Sequence, residues 1–359
     1  MKRIMVLKQA LGIDVSKDSL SFCLGILKSN LDKEFIQGKD VGNDKKGFKE
    51  LTKWLKPLSS KKELPAIIME ATGVYHEGVA YYLHTLGYKV CIMQSGRVKK
   101  YSQSLEQRSK TDALDSKMLS MLGCERNIKP WCPPSETLQE LKFLSRERSA
   151  LIKQRSIEKN RFHAMNAAEF AYKSAVKRYK KRTQLLNLQI IEIEEEMQKT
   201  VNKDSVLSDK INLLKSIPGL SFISVSTVVA ETSGFSLFTS AKQLTSYTGY
   251  DVVLRESGNF KGKTRISKKG NKHIRAVLHM PSMTAVRLNP TLKPFYERLK
   301  PRKEKPLIAL VAVQRKLLIL MYSLWKSNEY YDSKHEIKKA ARKQVLAAQD
   351  RNKNEFVTS

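Results

Sequence analysis

Over the first hundred residues, short apolar runs are separated by polar breaks, and the period of the pattern switches between strand and helix. Residues 11–15, 20–27 and 35–41 read as strands. In the first of these, Leu11, Ile13 and Val15 fall on one side and Asp14 on the other, because successive strand side chains alternate. Phe48, Leu51, Trp54 and Leu55 then recur at helical spacing and predict a helix over 46–55. The next strand, from Pro65, ends its apolar part at Glu70. It runs into a helix over 75–86, with Val79, Tyr82, Leu83 and Leu86 on one face and Gly87 as the C′ residue. Residues 89–93 form a further strand. The order β-β-β-α-β-α-β predicts an α/β layer built on a mixed sheet.

Residues 97–110 are basic and poorly periodic. The helix that follows buries Leu114, Met118 and Leu122 and carries Asp112 and Asp115 three residues apart on another face. Thr111 or Asp112 is the candidate N-cap. Pro130, Pro133 and Pro134 mark a boundary, and no proline or glycine recurs before Pro218. Between them Leu138, Leu141, Leu144 and Leu151, then Leu188, Ile190, Ile191 and Ile193, step at helical intervals, which predicts a helical hairpin or coiled coil. Its first arm and tip are basic, with Lys177, Arg178, Lys180, Lys181 and Arg182 together. Ile217-Pro218-Gly219 separates two helical runs. It reads either as a helix-hairpin-helix turn, with N–H groups aimed at a phosphate, or as a plain helix–turn–helix connection. An apolar helix over 308–324 is expected in the core, and the chain beyond Tyr331 is a charged tail. The expected divisions are 1–130, 131–205, 206–330 and the tail 331–359.

Charge narrows the partners. A formal net charge of +31 over 359 residues calls for a polyanion, which points to nucleic acid. No apolar run approaches the ~20 residues of a membrane span, and the basic N-terminus turns polar too soon for a signal peptide. A cytosolic protein acting at the nucleoid, with no membrane partner, is expected. Cys23, Cys91, Cys124 and Cys132 are scattered, and neither they nor the six histidines, His76 and His84 included, show transition-metal spacing.

Three of the four acids have a plain reading by themselves: Asp14 as a turn former, Asp112 and Asp115 as first-turn acids that suit the helix dipole. Together they are two strand-end acids and two on one helix face. Four carboxylates brought together repel unless a cation neutralises them, and oxygen-only donors favour Mg2+ or Mn2+. Two such ions clamp the attacking and leaving oxygens of a phosphoryl transfer. A ribonuclease H-like sheet supplies this layout. Further on, residues 254–275 are dense in glycine, hydroxyl and cation, with Lys261, Lys263, Arg265, Lys268, Lys269, Lys272 and Arg275 as candidate phosphate contacts. Ser257, before Gly258, is a candidate nucleophile and Ser267 its rival. A lone serine in a basic loop is more often a phosphate hydrogen-bonder than a nucleophile, and no general base stands near either one in the sequence.

The stretches Gly12-Ile13-Asp14-Val15-Ser16-Lys17, Met69-Glu70-Ala71-Thr72-Gly73, Lys110-Thr111-Asp112-Ala113-Leu114-Asp115, Ile217-Pro218-Gly219, Ser257-Gly258 and Ile266-Ser267-Lys268-Lys269-Gly270-Asn271, in this order, resemble the DEDD-type bacterial insertion-sequence transposases of the IS-one-ten family. Residues 279–290 resemble its IS-eleven-eleven branch. The resemblance implies a RuvC-like catalytic domain, a coiled-coil connector and a mainly helical C-terminal transposase domain. It implies metal binding by Asp14, Glu70, Asp112 and Asp115, with Ser257 as nucleophile. It further implies DNA as substrate, a structured guide RNA, and a homo-oligomer, dimer or tetramer. Ser221 stands where the family tends to have a second glycine after Ile-Pro-Gly. Two other readings are a metal-only nuclease or resolvase, in which Ser257 only binds phosphate, and a non-enzymatic nucleic-acid-binding protein.

Overall fold

The computed structural model describes residues 5–59, 64–71, 73–105, 109, 111–169, 172–254, 256–258, 260–262, 264–302 and 305–335. The chain divides into two compact units, Met1–Pro133 and Pro134–Ser359.

The first unit contains β1 (Val6–Val15), β2 (Ser19–Lys28), β3 (Lys33–Gln37), β4 (Val41–Gly42), α1 (Lys45–Leu58), β5 (Ala66–Glu70), α2 (Glu77–Thr85), β6 (Val90–Met93), α3 (Ser95–Ser104) and α4 (Asp112–Glu125). The sheet order is β3-β2-β1-β5-β6, with β4 on β2. β2 is antiparallel to β1 and β3, whereas β5 is parallel to β1 and β6. This is the mixed sheet expected from the pattern.

Strand alternation sorts the apolar residues into two cores. Leu11, Ile13, Ile67 and Met69 pack with Leu51 and Leu55 of α1 and Val79 and Leu83 of α2. On the other face, Ala10, Ile68 and Cys91 pack with Met118, Leu119 and Leu122 of α4 and Val98 and Tyr101 of α3. The poorly periodic basic stretch therefore does contain a helix. Only Val98 and Tyr101 of α3 are buried, too few apolar positions to show a period.

The second unit is mainly helical. It holds α5 (Glu136–Asn166), α6 (Lys173–Asn202), α7 (Ser205–Lys215), α8 (Phe222–Glu231), α9 (Ala241–Thr248), α10 (Lys272–Val277), α11 (His279–Leu288), α12 (Leu292–Leu299) and α13 (Pro306–Ser327). Between α9 and α10 lie two two-stranded ladders formed by β7 (Val252–Val253), β8 (Glu256–Ser257), β9 (Phe260–Lys261) and β10 (Arg265–Ile266). Helices α5 and α6 form an antiparallel hairpin. Its arms are tied by Arg148–Glu194 (2.6 Å), Arg155–Asn187 (3.1 Å) and Arg182–Glu158 (2.9 Å). At its root Leu141, Leu144, Ile193, Met197 and Val201 join the core that holds α7, α8 and α13.

One expectation is corrected here. The sequence reading found no apolar run near the length of a membrane span, yet α13 has 22 residues and is long and apolar enough to cross one by length and composition. Arg315 and Lys316 interrupt it in sequence, but both fall on its exposed face. Ala309, Val313, Leu317, Leu318 and Met321 on the opposite face are fully buried among the other helices, so α13 is a core helix.

Candidate active site

The acids sit where the sheet topology predicts. β1 and β5 run parallel, with Ile13 paired to Met69. One residue further in the same register, Asp14 stands level with Glu70. Adjacent parallel strands lie ~4.8 Å apart and paired residues share a face. That face is the one covered by α4, because Ala10 and Ile68, in step with Asp14 and Glu70, pack on it.

Two glycines measure how closely α4 lies. A Cβ on Gly12 would come within 2.0 Å of the Ser116 carbonyl oxygen and 2.3 Å of the Ser120 nitrogen. A Cβ on Gly123 would come within 2.5 Å of the Ala10 Cβ and 2.6 Å of Ile68 Cγ1. The helix therefore runs antiparallel to β1, with Gly123 over the strand's middle and Ser116 beside Gly12. Its first turn, holding Asp112 and Asp115, lies toward the strand ends that carry Asp14 and Glu70. Thr111 caps the helix, its side chain accepting the Leu114 N–H at 3.2 Å. Asp112 is exposed; Asp14, Glu70 and Asp115 are half-buried.

Asn43, which the sequence reading passed over, ties the two strand-end loops together. Its Nδ2 donates to the Ser16 carbonyl at 2.9 Å and to the Tyr75 carbonyl at 3.1 Å. An Asn in a turn leaves no periodic signal in the sequence. Among the described residues, no three or more Asp, Glu, His or Cys side chains are gathered closely enough to hold a metal ion. Asp14 and Glu70 lie at adjacent strand ends, and Asp112 and Asp115 lie on the helix turn directed toward them. The donor set is all oxygen, the chemistry that suits a hard divalent cation.

The serine region belongs to the second unit. Ser257 is exposed and pairs with Phe260 across the β8–β9 hairpin, which Gly258 turns with φ 54°. Ser267 is differently placed. Its N–H donates to the Asp251 carbonyl at 2.9 Å, and its hydroxyl donates to the Asp251 carboxylate and accepts the Lys269 N–H at 3.2 Å. That hydroxyl is committed to the loop, whereas Ser257 faces solvent. Arg265, Lys268, Lys269 and Lys272 are exposed. Arg275 is turned inward, donating to the Thr248 carbonyl at 2.6 Å and so closing the end of α9. Lys263 and the Lys261 side chain lie outside the described residues.

A buried carboxylate anchors this loop. Glu231, at the end of α8, is 1% exposed and accepts two bonds from Arg146 of α5, at 2.7 and 3.0 Å, and a third from Asn271 Nδ2 at 2.7 Å. Burial raises the Glu231 pKa, but the bonds from Arg146 and Asn271 outweigh it and hold the carboxyl below its ordinary range. Asn271 also caps α10, its Oδ1 accepting from the His273 and Ile274 N–H groups at 2.9 and 3.2 Å, and its own N–H donates to the Tyr247 carbonyl at 2.8 Å. A Cβ on Gly270 would meet that same Tyr247 carbonyl at 2.2 Å, so only glycine lets the lysine loop lie this close to α9. The role of Glu231 was not visible in the sequence, because a single acid ending an apolar helix gives no hint of partners 85 and 40 residues away.

Two family models match the chain. One, a transposase model of the DEDD IS110 type, covers residues 11–166 and so takes in all four acids. The other, described as transposase of the IS116/IS110/IS902 family, covers residues 211–297, with Ser257 and the lysine loop. Among curated relatives, the pilin gene-inverting proteins of Moraxella bovis and Moraxella lacunata are each 27% identical over 333 residues, spanning 92% of this chain and 99% of theirs. An insertion element IS900 42 kDa protein of Mycobacterium paratuberculosis is 22% identical over 120 residues, covering 33% of this chain and 30% of its own. Among solved structures, Thermus thermophilus RuvC in complex with a Holliday junction covers 34% of this chain and 99% of its own, at 13% identity and a TM-score of 0.26, too low to argue a fold from.

Proposed function

The chain belongs to the IS110/IS116/IS902 family of transposases and is a DNA transposase or recombinase, and we propose that it cuts and rejoins DNA with a divalent metal held by Asp14, Glu70, Asp112 and Asp115 and with Ser257 as nucleophile. The observation that carries the metal half is the level placement of Asp14 and Glu70 beneath the first turn of α4, fixed by the contact of Gly12 with Ser116. Two divalent ions, Mg2+ or Mn2+, would offset the four carboxylates and polarise a DNA phosphate. Asn43 holds the two strand-end loops at a fixed distance, and the dipole of α4 supports the charges on Asp112 and Asp115.

In the other half, the exposed Ser257 hydroxyl attacks a DNA phosphorus. An ester forms between Oγ and phosphorus as the bond to one deoxyribose oxygen breaks; the proton lost by the serine is delivered, through a base, to that oxygen, which leaves as a hydroxyl. Rejoining reverses the step with a hydroxyl of the new partner strand. Exposure on the β8–β9 turn favours Ser257 over Ser267, which is half-buried with its hydroxyl bonded within the loop. Arg265, Lys268, Lys269 and Lys272 bind the phosphates flanking the cut, on a loop held by Glu231 and Asn271. A structured guide RNA is the second polyanion, supported by the excess of +31 and by exposed Lys173, Lys177 and Arg178 at the hairpin tip. The chain acts as a homo-oligomer. The Moraxella relatives are named for inverting pilin genes, and inversion, like insertion, needs strands both cut and rejoined.

The test is a cleavage and joining assay on a plasmid carrying the element's own ends, with Mg2+ present or chelated, and with the nucleic acid that co-purifies with the protein sequenced. Asp14→Asn and Ser257→Ala should each abolish joining, and chelation should do the same. Cleavage that survives in Ser257→Ala while depending on Mg2+ would leave a metal-only nuclease in place of this reading.

A further inference from the structure

On α6 the residues turned inward follow one another in steps of three and four: Thr183, Leu186, Ile190, Ile193, Met197 and Thr200 are all buried or half-buried. A helix that meets its partner arm through such a seam ordinarily carries polar residues opposite. α6 does not. Leu185, Leu188 and Ile191 on the outward face are 55%, 57% and 53% exposed. One exposed leucine needs no explanation, but three on one face within two turns form a stripe without a partner. Its flanks carry opposite charge. Lys180 and Lys181 stand N-terminal to it and Glu195 and Glu196 C-terminal, all four exposed. Their neighbours are already spoken for, since Arg182 pairs with Glu158 and Glu194 with Arg148.

We propose that this face of α6 docks on the same face of a second copy, the two helices packing antiparallel about a two-fold axis at Leu188. The sequence around Leu188 is complementary to its own reversal. Centred there, Leu185 meets the partner's Ile191, Lys181 meets the partner's Glu195, and Lys180 meets the partner's Glu196. The two-fold axis provides each contact twice. Parallel packing in register would instead set lysine on lysine and glutamate on glutamate, so the charges select the antiparallel arrangement. From Lys181 to Glu195 the seam runs about 21 Å along the helix. Nucleic acid fits this face poorly, because its centre holds three exposed apolar residues with Glu192 beside them and one flank is acidic. The proposal locates one contact of the homo-oligomer and rests on that part of the reading above, but not on the metal or the serine.

The test is sedimentation velocity over a concentration series on the full chain freed of nucleic acid, with circular dichroism to check folding. Leu188→Glu should weaken self-association by about tenfold or more, equivalent to roughly 1.4 kcal/mol. Lys181→Glu and Glu195→Lys should each weaken it, the double variant should restore it, and an equimolar mixture of the two single variants should co-assemble. An oligomeric wild type whose mass all these variants keep puts the interface elsewhere and overturns the proposal while sparing the oligomer. A wild type that is monomeric throughout overturns both. Variants that lose nucleic-acid binding without any change in mass assign the face to nucleic acid and also overturn it.

Discussion

Asp14 on β1 and Glu70 on β5 stand level across a parallel strand pair, one residue beyond the pairing of Ile13 with Met69, on the face that α4 covers. Asp112 and Asp115 stand on the first turn of the covering helix, so the four acids come from two adjacent strand ends and one helix turn.

This placement yields a thermal prediction. Adding Mg2+ or Mn2+ to metal-free protein should raise the melting temperature of the first unit, and Asp14→Asn or Glu70→Gln should blunt the gain. Differential scanning fluorimetry with and without chelator measures both. The same substitutions should lower strand joining by about 100-fold or more, in the range seen when one charge-stabilising group is removed from an active site. Metal-independent melting in the wild type contradicts the cage.

Gly12→Ala should be destabilising although it adds one methyl group. The new carbon would meet the Ser116 carbonyl and the Ser120 nitrogen, both backbone atoms, so α4 must move off the strand. Overpacking of this kind costs about 1–3 kcal/mol. Because α4 carries Asp112 and Asp115, joining activity should fall even at temperatures where the variant remains folded. Urea titration and the joining assay read the two effects separately.

Glu231→Gln tests the buried anchor and carries a pH signature. The folded pKa of Glu231 is held below its unfolded value, so its stabilisation is complete above the unfolded carboxylate range, about 4.3, and fades as pH falls through the folded value. The variant should be less stable by about 1.5–3 kcal/mol at neutral pH, the scale of hydrogen bonds to a charged group. The gap should narrow below about pH 4. Denaturation midpoints at several pH values check this, and a pH-independent gap counts against it.

Lys268→Ala with Lys269→Ala should weaken DNA binding across all sequences and reduce the slope of log affinity against log salt by about 2, one for each phosphate no longer neutralised. Arg275→Ala should leave that slope nearly unchanged, since its guanidinium serves the Thr248 carbonyl, and should lower stability instead. Fluorescence anisotropy over a salt series separates them.

How far the sequence reached follows from where the information lies. Leu11, Ile13 and Val15 alternate with Asp14, and Phe48, Leu51 and Leu55 repeat at helical steps, so the mixed sheet and its helices were readable from local period. The strand-end acids were readable too, because an ionised side chain closing an apolar run stands out. Helix α3, with two buried apolar residues, gave no period. The apolar length of α13 was hidden by Arg315 and Lys316, which sit on its open face. Asn43 and Glu231 were missed because their partners are distant in the chain. Ser257 and Ser267 looked alike until Asp251, 16 residues from Ser267, was seen to hold one of them.

The most direct measurement is the capture of a covalent intermediate. Wild-type protein incubated with end-labelled DNA carrying the element's junction, Mg2+ and the co-purified RNA, then quenched in denaturant, should yield a protein–DNA adduct whose peptide maps to Ser257. Ser257→Ala should yield none, and Ser267→Ala should keep it. An adduct that persists in Ser257→Ala, or joining by the wild type with no adduct at any time point, would contradict a serine nucleophile.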